Sequence, residues 1–505
     1  MALSFYDDYK PFRNLLRRYN LQAGLEGIWR CSSHLDNGSP LPSSLANSLP
    51  LLRELRDLVY PWDMEIVAKE MIMHASVDNG HELKHWGDIA SIVNHIRRLE
   101  DAAFQMSVTA GADVLFGVHR VLQRQFPWQE KGVAMAIMRA YKVFGADVMD
   151  DLIQREMGMS AKQFFLLGIA VSGGLLKQAG LVTTNDYEFL GISRDASYAF
   201  FERVTGDLDV LRASIHSQQT YDHNWLYAWN PLEAKPLVRF DKNYPERVLC
   251  PIPRYLLRRT SSGIFYDIVK AKGFDNPYGN SFEVYVGDVL RAVCGSERFS
   301  LRGETPYLDS QGTMHGVDWV LSDPSGHLFI ESKTKRLSLS ARTHSDPAAL
   351  DRDLLVMARA VTQHYKNIQA VLDGKANFQH DGRPIFPVIL TFEDWLIFGP
   401  TVHEMLERHV RELLDEAGIP SQVLEEMPYT IMSANDLEIG GQVIAQVGIK
   451  SLMSKKIRKE YRQYVFLPFV MEHYPQEMKQ VRRMLFRAEW EAFLPEAATL
   501  PPWPE

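Results

Sequence analysis

Two apolar-rich segments lie almost back to back in this chain, 315–321 (HGVDWVL) and 328–333 (LFIESK), with Ser322-Asp323-Pro324-Ser325-Gly326 between them. With Asp at the first position, Pro at the second and Gly at the fourth, 323–326 matches a type I turn. So short a connection lets two strands pair antiparallel, and the spacing predicts a β-hairpin. Side chains two apart on a strand share a face, so Glu331 and Lys333 point the same way and Ser332 the other. If the turn closes the hairpin, Asp318 comes opposite the far strand near Glu331. An acid in an otherwise apolar strand is costly unless it is paired or coordinates a cation.

The sequence around this hairpin alternates. Helical patterns cover 262–271 and 281–293, separated by a Gly/Asn/Pro break at 273–280. A long helix is expected over 347–372, a buried strand at 387–392 (PVILTF), a helix at 402–417, a strand at 429–432 and a helix at 435–447. Two basic helical stretches follow, and 450–487 carries ten Lys or Arg against three Glu. The C-terminal half is therefore α/β. From about residue 7 to 222, apolar residues return every three or four positions, as in Leu83, Trp86, Ile89, Val93, Ile96 and Leu99, and a mainly α-helical region follows. Its clearest interruption is a Ser/Pro/Asn/Gly-rich loop at 30–48. Between 227 and 253 prolines punctuate the chain too often for regular structure, which places a domain boundary there. The expected organisation is 1–245 as a helical recognition or regulatory region, 246–460 as the α/β domain, and 461–505 as a basic helical extension packed on it.

Bulk properties narrow the classes. At 505 residues, 46% apolar and 23% charged, the chain has the composition of packed globular domains. The apolar stretch 164–176 is too short for a bilayer and is broken by Gly and Ser, so no membrane association is expected. Three widely separated cysteines, Cys31, Cys250 and Cys294, form no disulfide framework or zinc ribbon and suit a reducing compartment, so the cytoplasm is the expected location. A net charge of −8 argues against a surface coated for nucleic acid, while leaving room for a local basic groove.

The chemistry concentrates in the hairpin. Glu-x-Lys occurs four times, at 82–84, 233–235, 331–333 and 477–479, and only Glu331–Lys333 ends an apolar strand. Two carboxylates brought together, with the Ser332 backbone carbonyl between them, make a set of hard oxygen donors suited to Mg²⁺ or Mn²⁺. An ion there polarises a phosphodiester, and the Lys333 ammonium orients the attacking water or stabilises developing charge.

At Asp318 and Glu331-Ser332-Lys333 the chain resembles the PD-(D/E)xK, or restriction-endonuclease-like, phosphodiesterases. That family places an Asp at the start of one strand and Glu-x-Lys at the end of the next. The resemblance covers about 263–392 and extends toward 455; in place of a Pro before the first acid this chain has His315-Gly316-Val317. It implies a mixed sheet flanked by helices, catalysis by Asp318, Glu331 and Lys333, and metal held by Asp318, Glu331 and the Ser332 carbonyl. Because the family often adds an acid from the preceding helix, Glu283 is the candidate third side-chain ligand. Lys335, Arg336 and Arg342 directly follow the strand and are candidates for backbone phosphate contact. DNA is the expected substrate because the family mostly acts on it, and cutting both strands with one centre per chain favours a homo-oligomer. Gln363, His364 and Lys366 fall where such nucleases place an assisting polar residue, although a solvated helix face is the simpler reading.

Two other readings are carried alongside. His81-Glu82-Leu83-Lys84-His85 fits the HExxH pattern of zinc metallopeptidases, in which two His one turn apart bind zinc and the Glu acts as base. On a helix starting at Asn79-Gly80, however, both His fall about 160° from Leu83 and face water. The second alternative is a catalytically silent nucleic-acid-binding or assembly module with the nuclease fold. The helical region shows no Walker A loop or GxGxxG. Its expected role, by analogy with prokaryotic anti-phage defence effectors, is recognition of a protein partner, a nucleic-acid structure or a phage-derived trigger.

Overall fold

A computed structural model describes residues 4–109, 114–129, 132–309, 312–343 and 347–494. The end of the expected basic extension, 495–505, lies outside them. By packing, the described residues divide into two units: those within 1–113, 124–133 and 150–272 form the first, and those within 114–123, 134–149 and 273–505 the second. Residues 246–272 thus pack with the helical part, and two short pieces of the N-terminal half pack with the α/β part. Among the described residues no helix is long and apolar enough to cross a membrane.

The first unit is mainly helical, as its periodicity implies. Phe5–Leu16, Leu21–Asn37, Pro61–His74 and Trp86–Thr109 enclose a core of Tyr9, Phe12, Leu25, Ile28, Met71, Ile92 and Ile96. It also holds a small four-stranded sheet that periodicity did not show, with Gly180–Val182, Arg247–Leu249, Leu237–Arg239 and Thr205–Asp207 in that order. Two of these strands come from the proline-punctuated stretch, whose three-residue pieces are too short to carry a period. The Ser/Pro-rich loop begins later than expected, because the helix Leu21–Asn37 runs to a left-handed Gly38 at φ 73°.

The HExxH segment is extended. His81 forms a β-bridge with Tyr19, the Asn20 N–H donates to the His81 carbonyl at 2.7 Å, and the helix starts only at Trp86. The Leu83 backbone packs so close to Gly27 that a side chain there would clash, which holds this stretch against the helix Leu21–Asn37.

The second unit is built on a five-stranded mixed sheet. Its strands are β1 (Ser300–Gly303), β2 (Trp319–Asp323), β3 (Gly326–Lys333), β4 (Ile385–Thr391) and β5 (Thr430–Ser433), in the spatial order β5-β4-β3-β2-β1. β1, β2 and β3 pair antiparallel, whereas β3, β4 and β5 run parallel. The predicted hairpin is β2–β3. Its turn is closed by the Asp323 carboxylate, which accepts from the N–H groups of Ser325 at 2.8 Å and Gly326 at 3.0 Å. β2 starts at Trp319 rather than residue 315; the chain before it is held by Glu304, which accepts from the Gly316 N–H at 3.0 Å.

Helices flank the sheet. On one face, Val320, Phe329 and Ile389 pack against α3 (Pro347–Leu372) and α4 (Pro400–Glu416). Toward the other lies α2 (Asp275–Cys294), with Tyr278, Phe282, Tyr285 and Val286 buried. α2 runs through the expected break at 273–280, because Pro277 falls in the first helical turn, where its missing N–H costs nothing, and Tyr278 and Phe282 reward continuation. The helix α1 (Val133–Phe144) joins this unit through Arg139, whose guanidinium pairs with Glu438 of α5 (Ala434–Val447) at 2.6 and 3.0 Å. Tyr285 donates to the same carboxylate at 2.6 Å, so α1, α2 and α5 share one buried anion.

Trp319, next to Asp318, packs its ring closely against Gly287 of α2, and its indole N–H donates to the Glu283 carbonyl at 3.0 Å. A methyl at Gly287 would drive into the ring. Gly287→Ala is expected to cost about 1–3 kcal/mol through overpacking. Urea unfolding checks this, and an unchanged midpoint would mean that Trp319 is not the fixed prop of Asp318.

Candidate metal centre

The ladder between β2 and β3 ends with Trp319 opposite Ile330. One step further the same register sets Asp318 across from Glu331, on the face that carries Val320 and Phe329. Glu331 and Lys333 share that face by the two-residue period of β3. The hairpin therefore delivers all three groups to one end of one sheet face. An Asp318 carboxylate oxygen accepts from the Ser332 N–H at 2.6 Å, and the Lys333 ammonium donates to Glu331 Oε1 at 2.7 Å.

Glu331 is 4% exposed, and its second oxygen is turned toward α3. Asn367 Nδ2 lies 3.5 Å from Oε2 and also donates to the Gly316 carbonyl at 3.0 Å, tying together the segments that bear the two acids. His364 is 1% exposed; its Nδ1 is 3.5 Å from Oε2, a contact too long for a directed hydrogen bond. Its Nε2 lies 3.1 Å from the Phe329 carbonyl, and since a carbonyl only accepts, Nε2 carries a proton. His364 is thus a buried neighbour of Glu331 and not part of a solvated face, whereas Gln363 and Lys366 are exposed. Gln363 donates to Asn367 Oδ1 at 3.0 Å and orients that amide.

The electrostatics follow from burial. Desolvation, with the Glu331 charge next, pushes the Asp318 carboxyl well above the usual carboxylate range, against the pull of the Ser332 N–H and Lys333. For Glu331, desolvation also raises, but His364 and Lys333 outweigh it and hold the group low. Of the two acids Asp318 is therefore the one that tends to keep a proton. Burial works against the Lys333 charge, yet the charge and hydrogen bond of Glu331, then Asp318 and Glu283, raise its pKa above normal. Glu283 is half-buried and raised, first by desolvation and then by Glu304 and Glu331. Glu304 is thus a further acid facing this site. It is paired with the exposed His315 at 2.9 Å, and it comes from the loop after β1, twelve residues before Gly316, where no motif marks it.

The cluster is acid-rich, and its donors, carboxylates and the Ser332 carbonyl, have the chemistry that Mg²⁺ or Mn²⁺ takes. Among the described residues, though, no group of three or more His, Cys, Asp and Glu side chains is spaced to hold a metal ion. As placed, the cation that Glu331 meets is the Lys333 ammonium.

The basic residues after β3 part company. Lys335 is exposed, with a loose ion pair of 3.8 Å to Asp353. Arg342 lies on the short helix Leu339–Thr343, partly exposed. Arg336 is 6% exposed, paired with Glu393 at 2.8 Å and placed over the Phe392 ring, so it lacks the exposure a phosphate contact needs. At the alternative motif, His81 Nε2 meets Asp88 at 3.0 Å and His85 Nδ1 lies 3.3 Å from the Ser44 carbonyl, on extended chain that does not present the two rings one helical turn apart.

Comparison with protein-family models, with curated proteins and with solved structures finds no match.

The geometry at residues 81–85 predicts that His81→Ala/His85→Ala leaves the metal content of the purified protein unchanged. Elemental analysis checks this; loss of one equivalent of zinc in the double variant would restore the metallopeptidase reading.

Proposed function

We propose that this protein is a metal-dependent nuclease of the PD-(D/E)xK type, hydrolysing phosphodiester bonds in DNA, with its centre in the second unit. One observation carries the reading: Asp318, Glu331 and Lys333 meet at the end of a single sheet face, on a hairpin whose second strand continues into a parallel pair. Mixed sheets flanked by helices occur in many proteins, so the fold by itself adds little.

In this reading Asp318, Glu331 and the Ser332 carbonyl hold Mg²⁺ or Mn²⁺, with Glu283 at the margin. When bound, the ion supplies Lewis acidity toward the phosphodiester. Lys333 orients the attacking water and stabilises charge that develops on the phosphoryl oxygens. His364 and Asn367 each lie 3.5 Å from Glu331 Oε2 and enclose that side of the carboxylate. Lys335 and Arg342 are the phosphate-contact candidates that keep solvent access. The first unit serves recognition or regulation, and the layout of a helical region fused to a nuclease core suggests a cytoplasmic antiviral effector by analogy.

The second reading, a silent module with the same fold, draws on the lack of a metal-spaced group among the described residues. Plasmid nicking decides between them. The full chain is expected to nick with Mg²⁺ or Mn²⁺ and to stop with EDTA, and Asp318→Ala is expected to be inactive. Lys333→Ala should fold normally and lose about 10²–10³-fold in rate, the usual loss of one transition-state donor. Absence of metal-dependent cleavage on duplex and single-stranded DNA and RNA would favour the silent module, and unchanged cleavage by Lys333→Ala would remove that residue's role.

A further inference from the structure

We infer that Lys333 is the resident cation of this centre, and that a divalent ion enters by exchanging with the ammonium at Glu331 Oε1. The inference rests on the nuclease reading and adds an order of events to it. Glu331 is 4% exposed, and a carboxylate so enclosed requires a counter-charge. Its two oxygens are not equivalent. Oε2 faces Asn367 and His364, both 3.5 Å away. Those two side chains are themselves fixed, Asn367 on the Gly316 carbonyl at 3.0 Å and His364 on the Phe329 carbonyl at 3.1 Å. Oε1 is then the oxygen left for a cation, and Lys333 takes it at 2.7 Å.

The ammonium sits in the combined field of Glu331, Asp318 and Glu283, so it balances the cluster as a whole as well as one partner. Lys333 is at the last position of β3, and its side chain is about one-third exposed. A four-carbon stem with that much freedom can swing off Oε1 while the strand stays in place. The exchange breaks one charge-assisted hydrogen bond and forms an ionic contact at the same oxygen, with no covalent change. It also releases the ammonium beside the place where a phosphate binds. Lys333 is thus withheld from substrate until the ion has arrived, which couples metal entry to assembly of the reactive group.

The coupling makes a signed prediction that does not depend on turnover. Mn²⁺ binding to the full chain is measured at pH 8 by electron paramagnetic resonance titration, for wild type, Lys333→Met, Lys333→Arg and Glu331→Gln. Removing the competing cation is expected to tighten Mn²⁺ binding by about tenfold in Lys333→Met, the equivalent of one charge-assisted hydrogen bond. Lys333→Arg, which keeps the charge, should stay within about twofold of wild type, and Glu331→Gln should bind much more weakly, since an amide offers the ion no charge. If Lys333→Met fails to fold, as judged by its melting curve, Lys333→Gln takes its place with the same expectation. Equal or weaker binding in the neutral variant, with wild type still binding one Mn²⁺, overturns the exchange and leaves the nuclease reading standing. No Mn²⁺ bound by wild type or by any variant overturns both.

Discussion

A buried carboxylate at the end of a strand, Glu331, sets the terms for the rest of the second unit. Its charge cannot be left unpaired in that position, and three separate parts of the chain supply what it needs. β3 itself brings Lys333 two residues on, the hairpin brings Asp318 across the register, and α3 brings His364 and Asn367. An isolated ion pair would gain little from so much enclosure, since desolvation offsets most of the Coulomb attraction. Here the lysine answers more than one acid, since Glu331, Asp318 and Glu283 all act on its charge.

The supports of this cluster reach across the unit. Trp319 fixes the strand start beside Asp318 by packing on Gly287 and bonding to the Glu283 carbonyl, which also locates the helix that carries Glu283. Asn367 spans from the segment before Asp318 to Glu331 and makes the spacing of the two acids a property of α3 as well as of the hairpin. At the far end of the hairpin the Asp323 carboxylate closes the turn and also accepts from the Ile449 N–H at 3.0 Å, so the register is held from both ends. Register matters more than position here, because a slip of one residue would send Glu331 and Lys333 to the opposite face.

The hairpin was legible because its turn chemistry and its two-residue period agree, and together they fix which side chains meet. The helix over 347–372 and the strands near 387 and 430 were legible from apolar periodicity and run length. What escaped shows the limits of local pattern. Glu304 and Asn367 reach the site through tertiary packing and carry no spacing that marks them, and His364, though its helix is one where an assisting residue is expected, carries none that separates it from a solvated face. At the start of α2, Gly, Asn and Pro read as a break, although a proline in the first turn leaves a helix intact. The HExxH segment matches a helical motif letter for letter, yet a β-bridge to Tyr19 and the close approach to Gly27 hold it extended. Arg336 looked like one of a basic cluster; only the fold shows that Glu393 and Phe392 enclose it.

Where a divalent ion sits is read most plainly from an anomalous-difference map of crystals of the full chain soaked in Mn²⁺. A peak bounded by the carboxylates of Asp318 and Glu331 and the Ser332 carbonyl is expected, with the Lys333 ammonium moved off Glu331. A map without density there, or with the ion bound elsewhere and the Lys333–Glu331 contact intact, would contradict it.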